Sequence, residues 1–321
     1  MPHFDLPLAA LREHRSTVQA PDDFEEFWAS TLEGARAAGG ETYARPVDNG
    51  LALVETRDVT FAGFAGDPIS AWLHVPAGRE PSAVVVEFLG YSGGRGYAHQ
   101  QSEWVLAGYA HLLVDTRGQG SSHGKPGATA DPHGSDPAAP GHLTRGISSP
   151  ETHYYRRVFT DAARAVDVAH ELLPGRPVVV AGISQGGGIA IAAAALGEGV
   201  AAALVDVPFL CDFPRATSIT DRAPYAEIVS YLAAHRDRVD DAFRTLSYID
   251  GVNLARRADV PALFSVGLMD ATCPPSTVFG AYAAWAGSDK DIAVYPYNDH
   301  EGGGPLHRRV QLDWLRDRLS A

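Results

Sequence analysis

A chain of 321 residues, 45% hydrophobic and 20% charged, has the balance of a globular protein and ample length for a sizeable core. Its formal net charge of −13 argues against a nucleic-acid or anionic-membrane surface, and no apolar run approaches the length that crosses a bilayer. Two cysteines, Cys211 and Cys273, are too few for a disulfide framework or a cysteine-based zinc site.

Residues 1–50 read as an amino-terminal extension to one domain spanning 1–321. No basic segment leads into a long apolar core at residues 1–11, so a cytoplasmic location with free thiols is the expectation. Strand character then appears at 52–61 and 69–75, where alternation and closeness in sequence suggest an antiparallel edge. Six short, continuously apolar runs follow at 83–88, 110–115, 178–183, 202–207, 262–266 and 292–297. Such runs are expected of parallel strands buried on both faces.

Between the fourth and fifth of these eight runs lies a Gly/Pro/His-rich stretch, 121–150, which reads as a long loop. Its histidines, His123, His133 and His142, with His153 just beyond, lack compact ligand spacing, so no metal site is expected. Residues 152–173 then repeat Val158, Ala162, Ala165, Val166, Ala169 and Leu173 at three and four residues, the period of an amphipathic helix. Strands alternating with helices predict an α/β fold, an eight-stranded mostly parallel sheet with helices on both faces. Residues 209–259, between the sixth and seventh predicted strands, form an insert with helical segments near 225–234 and 237–246. Open α/β sheets bind ligands at the carboxyl ends of their strands, so this insert is expected beside the site.

The most informative residues are Gly182-Ile183-Ser184-Gln185-Gly186-Gly187. They follow an apolar strand and precede an Ala-rich helix, the setting in which G-x-S-x-G forms a nucleophile elbow. No Lys-Ser/Thr pair or G-x-G-x-x-G spacing supports a phosphate-binding turn instead. A serine needs a base, and the base needs an orienting carboxylate. In the α/β-hydrolase arrangement these come in the order Ser, Asp or Glu, His. Asp270 follows the seventh strand and His300 the eighth, so chain order, residue type and strand count agree. Asp299 is a rival carboxylate, but its immediate neighbourhood to His300 directs it elsewhere. An oxyanion would be met by the backbone N–H of Gln185 and by one from the glycine-rich loop 89–94, where Tyr91 is the choice.

Three motifs, Asp115-Thr116-Arg117-Gly118-Gln119-Gly120, the elbow, and His300-Glu301, occur in the order of an RGQ, GxSQG, HE signature. In this the chain resembles the acetyl xylan esterase/cephalosporin C deacetylase family, carbohydrate esterase family seven. Phe4-Asp5-Leu6-Pro7, Thr144-Arg145-Gly146-Ile147, and 267–270 running into Cys273-Pro274-Pro275-Ser276-Thr277 are similar to the same family. The resemblance implies an α/β-hydrolase fold and a serine esterase that removes acetyl groups from small O-acetylated substrates without a cofactor. It implies Ser184 as nucleophile, His300 as base and acid, Asp270 as orienting carboxylate, and Tyr91 and Gln185 as oxyanion donors. Arg117 and Gln119 are implied as supports of the site, and a homohexamer as the assembly. Phe209 and Thr272 stand where they would meet the acyl group. Two departures are visible: Leu89 replaces an expected histidine, and Thr272 a bulkier apolar residue. Pairing of Cys211 with Cys273 stays open at this stage. The competing readings are a prolyl-oligopeptidase-like peptidase, for which residues 1–50 are too few to build a gating domain, and an inactive hydrolase-fold binding protein.

Overall fold

The computed structural model describes residues 3–100 and 102–319. Its strands are β1 (Tyr43–Val47), β2 (Val54–Ala62), β3 (Pro68–Pro76), β4 (Val84–Phe88) and β5 (Ala110–Val114). They continue with β6 (Val178–Ile183), β7 (Val200–Asp206), β8 (Ala262–Gly267) and β9 (Lys290–Tyr295). One sheet contains them all in the order β1-β2-β3-β5-β4-β6-β7-β8-β9. β1, β2 and β3 are antiparallel, as is β3 with β5, and every pairing from β5 through β4 to β9 is parallel.

The sheet therefore has nine strands, where eight were expected. The additional one, β1, lies at the edge inside the stretch read as an extension. Its sequence, Tyr-Ala-Arg-Pro-Val, shows no buried alternation, and Tyr43 is 56% exposed. An edge strand needs neither a buried face nor a full set of N–H donors, so proline is tolerated and the apolar signal is lost.

Helices cover both faces. They are α1 (Leu8–Glu13), α2 (Phe24–Ala38), α3 (Glu103–Leu106), α4 (Tyr154–Leu172), α5 (Gln185–Leu196) and α6 (Phe213–Ile219). The rest are α7 (Tyr225–Ala234), α8 (Val239–Ser247), α9 (Gly251–Ala255), α10 (Pro275–Ala284) and α11 (Gly304–Leu319). Side chains alternate across a strand, so β4 sends Val84, Val86 and Phe88 to one core and Val85 to the other. The larger core takes Trp28 of α2, Phe159 of α4, Ile189 of α5, Leu254 of α9 and Val278 of α10. The smaller packs Trp104 of α3 with Trp314 and Leu315 of α11. The amino-terminal stretch is thus integral to the packing: Phe24 and Trp28 are buried, and the Trp28 indole N–H donates to the Tyr248 carbonyl at 3.0 Å.

Three features position the site. The elbow joins β6 to α5. The insert, α6 to α9, follows β7, and its α9 packs on α5 and α10. The long loop, 121–150, has no helix or strand of its own but is pinned at both faces. Asp115 accepts from the Ala128 and Thr129 N–H groups, and Arg157 of α4 grips Asp131 with two bonds at 3.0 and 2.8 Å. No described helix is long and apolar enough to cross a membrane.

Candidate active site

Ser184 has φ 60° and ψ −119°, left-handed backbone that a residue with a Cβ adopts only when its surroundings impose it. The constraints are visible. Its N–H donates to the Asp206 carbonyl at 2.9 Å, and its own carbonyl accepts from the Phe209 N–H at 2.9 Å. The turn can be this tight because its flanks lack side chains. A Cβ on Gly182 would sit 2.2 Å from the Gly186 backbone, and one on Gly186 only 2.1 Å from the Phe88 carbonyl oxygen. The serine is thereby thrust out at the end of β6.

The loops after β8 and β9 bring Asp270 and His300 to it. Asp270 is fully buried, and its Oδ1 accepts the N–H groups of Thr272 and Cys273 at 2.8 and 2.9 Å. Its Oδ2 is left for His300 Nδ1, at 2.8 Å, and His300 Nε2 lies 2.8 Å from Ser184 Oγ. A carboxylate at Nδ1 fixes the proton there and leaves Nε2 to accept from the hydroxyl. Asp299 turns away, with its carboxylate 3.8 Å from Arg222.

Two N–H groups lie at this end of the sheet. Gln185 is the first residue of α5, so its N–H has no partner within the helix. Tyr91 lies three residues beyond β4. Among the described residues neither N–H donates to a protein acceptor. The loops that carry them are tied together by side-chain amides. Gln119 accepts from the Ser92 N–H at 2.6 Å and donates to Gln185 Oε1 at 2.8 Å. Gln185 Nε2 donates to the carbonyl of Leu89 at 3.0 Å, and Tyr155 donates its hydroxyl to Gln185 Oε1 at 2.8 Å. Leu89, in place of the expected histidine, contributes through that carbonyl.

Arg117 sits one layer further back and is wholly buried. It binds Asp161 through two bonds at 2.6 and 2.8 Å, Asp67 at 2.8 Å and Asp131 at 3.3 Å. Burial opposes its charge, but these carboxylates outweigh it and raise the guanidinium above its ordinary value. Its backbone carbonyl accepts the Tyr154 hydroxyl, and Gln119 donates to that same hydroxyl at 3.0 Å.

Phe209 is fully buried, edge-on to Tyr91 at 6.0 Å and to Tyr225 at 4.6 Å, so its ring backs the Tyr91 wall. Thr272 is half-buried beside Asp270 and holds that carboxylate through its N–H. Cys211 and Cys273 are both free and buried, and burial pushes both thiols up. Cys273 Sγ, an Asp270 oxygen and a His300 ring nitrogen lie within 4.8 Å of one another. Sequence reasoning missed Glu227, whose carboxylate meets the Tyr91 hydroxyl, and the tandem Tyr154-Tyr155 behind the elbow. The tyrosine pair opens α4 ahead of its small apolar residues, which is a faint signal. Glu227 carries none.

A family model for acetyl xylan esterases matches residues 1–318. Among solved structures, an acetyl xylan esterase from Paenibacillus sp. R4 is 34% identical with a TM-score of 0.91, over 98% of this chain and 100% of that one. Acetyl Xylan Esterase 1 from Thermoanaerobacterium sp. JW/SL YS485 is 33% identical with a TM-score of 0.88, over 97% and 99% respectively. Acetyl esterase Axe7A of Xylanibacter ruminicola is 30% identical over 188 residues, 56% of this chain. The matched stretch spans 40% of that curated relative's length. With the sheet order, the elbow and the three motifs in place, a match over nearly every residue leaves one assignment: this chain belongs to the acetyl xylan esterase family of carboxylic ester hydrolases.

Proposed function

We propose that the protein is a serine esterase that removes acetyl groups from small O-acetylated substrates through an acyl-enzyme. The observation that carries this is the continuous relay from buried Asp270 through His300 to Ser184, with both bonds at 2.8 Å, on a strained elbow. Ser184 Oγ attacks the ester carbonyl carbon as its proton passes to His300 Nε2, and Asp270 stabilises the imidazolium that results. The carbonyl oxygen, now negative, takes hydrogen bonds from the N–H groups of Tyr91 and Gln185. The tetrahedral adduct collapses, the alcohol leaves with the proton from His300, and the acetyl group stays on Ser184. A water activated by the same imidazole then releases acetate.

In this reading Arg117 and Gln119 hold the two donor loops in register and do not react. Thr272, with Phe209 behind Tyr91, bounds the space for the acyl methyl. The substrates are acetylated xylo-oligosaccharides, cephalosporin C and similar short esters, and a net charge of −13 suits neutral or weakly charged alcohol parts better than polyanionic ones. The assembly is a homohexamer on family resemblance, and the two buried free thiols suit a reducing, cytoplasmic location. Three features favour an esterase over a prolyl-oligopeptidase-like peptidase or an inactive binding protein. These are the family match, the intact relay and the two unpaired N–H groups.

The test is kcat/KM for acetylated xylo-oligosaccharides, cephalosporin C and p-nitrophenyl esters of increasing acyl length. Acetyl esters are expected to lead, with octanoate slower by about 100-fold or more, because a small pocket rejects added methylenes sterically. Equal rates on acetate and octanoate would remove the acetyl assignment, and hydrolysis of peptide amides alone would favour the peptidase.

A further inference from the structure

The loop that carries Tyr91 is turned by its own backbone, where the Gly93 N–H donates to the Gly90 carbonyl at 3.0 Å, and the N–H groups of Gly120, Ser121 and Ser122 hold the Ser92 carbonyl from outside. Two side-chain tethers add to that backbone frame. One is Gln119 at the neighbouring Ser92 N–H. The other lies at the far end of the tyrosine ring. The Tyr91 hydroxyl donates to Glu227 Oε1 at 2.6 Å and accepts from the His142 N–H at 2.5 Å. Glu227 Oε2 accepts from the Leu143 N–H at 2.9 Å. Glu227 stands in the first turn of α7, inside the insert, and is 8% exposed. The backbone of the long loop presses against its carboxylate: a Cβ on Gly141 would fall 2.2 Å from the Glu227 carboxyl carbon. Burial raises the Tyr91 phenol, and the Glu227 charge raises it further, so the hydroxyl stays protonated and donates a hydrogen bond to the carboxylate. Phe209 and His142 clamp the ring edge-on at 6.0 and 5.2 Å.

We infer that Glu227 is a positioning residue for the oxyanion site, fixing the Tyr91 N–H through the tyrosine hydroxyl and binding three segments into one wall. Those segments are the loop after β4, the long loop at 141–143 and the helical insert. The insert therefore completes the reaction centre and does more than border its entrance. The inference rests on the reading of the Tyr91 N–H as an oxyanion donor.

The experiment is steady-state hydrolysis of p-nitrophenyl acetate by Glu227→Ala, Glu227→Gln, Tyr91→Phe and the double variant Tyr91→Phe/Glu227→Ala. Ser184→Ala serves as control, and thermal melting is measured for every protein. The same N–H serves acylation and deacylation, so kcat is expected to fall about 10- to 100-fold while KM stays within about twofold. Tyr91→Phe should fall by a similar factor, and the double variant no further than the worse single, since both break one linkage. Glu227→Gln should be intermediate, because a carboxamide can accept from Tyr91 or from Leu143 but not from both. A folded Glu227→Ala with kcat unchanged, or a double variant whose losses multiply, would overturn the inference. If Glu227→Ala does not fold, Tyr91→Phe and Glu227→Gln decide by the same criteria. Retained turnover in Ser184→Ala would instead sink the underlying esterase reading.

Discussion

The side-chain amide of Gln185 uses its full hydrogen-bonding capacity. Its two N–H groups go to Leu89 and Gln119, and its oxygen accepts from Gln119 and Tyr155. Gln185→Leu keeps the bulk and removes all four bonds, leaving the Leu89 carbonyl and the Tyr155 hydroxyl buried without this partner. A loss of about 1–3 kcal/mol in guanidinium unfolding is expected, because stranded polar groups keep their full desolvation cost. An unchanged unfolding midpoint would show that the amide cluster contributes nothing to stability. At this scale the sequence was legible where chemistry demands a residue type at a chain position. Ser184, Asp270 and His300 were singled out as candidates that way, and the structure brings them within hydrogen-bond reach of one another, while the glutamine stood out as a letter of the motif. Its partners could not, since Tyr155 lies 30 residues away and Leu89 96 away. Glu227 reaches Tyr91 across 136 residues, and no spacing rule anticipates such a contact.

Two elements make claims that can be measured. The strand–elbow–helix unit depends on the absence of a Cβ at Gly186, where the obstacle is the rigid Phe88 carbonyl and not a movable side chain. Gly186→Ala should cost roughly 3 kcal/mol or more through forced backbone displacement, read as a lowered melting temperature. Wild-type stability would contradict the close approach. The second element is α4, whose first turn is capped by His153. Its Nδ1 accepts from the Tyr155 N–H at 3.2 Å, while Nε2 lies 3.1 Å from the Leu143 carbonyl. Accepting at Nδ1 requires a neutral ring, and burial lowers the imidazole to about 3. The folded-state value lies below the unfolded one, so the unfolded chain takes up the proton first. This contribution to stability is complete above pH 6.5 and drains away as pH falls toward 3, by about 2 kcal/mol at pH 5. His153→Asn keeps an N-cap acceptor without the titration. Urea unfolding at pH 7 and pH 5 should show it losing about 2 kcal/mol less than wild type; equal losses would argue against a neutral cap.

β4 to β8 were legible as continuous apolar runs because both faces of the central sheet are covered, whereas β2 and β3 were legible by alternation. β9, at the far edge, is only half-buried where burial on both faces was expected. β1 was not legible, because an exposed edge strand leaves no such trace.

For the molecule as a whole, the parallel strands β4 to β9 deliver six chain segments to their shared carboxyl end, where the insert and the long loop meet them through Glu227 and residues 141–143. A homohexamer would place a mass near six times 34.1 kDa in light scattering; a monomer at working concentration would contradict the proposed assembly. The central claim is that Ser184 is the nucleophile, and it is tested most directly by hydrolysis of p-nitrophenyl acetate by wild type and Ser184→Ala. The variant should keep the wild-type melting profile and lose about 10⁴-fold or more in kcat. A folded Ser184→Ala that still turns over at near the wild-type rate would contradict the account.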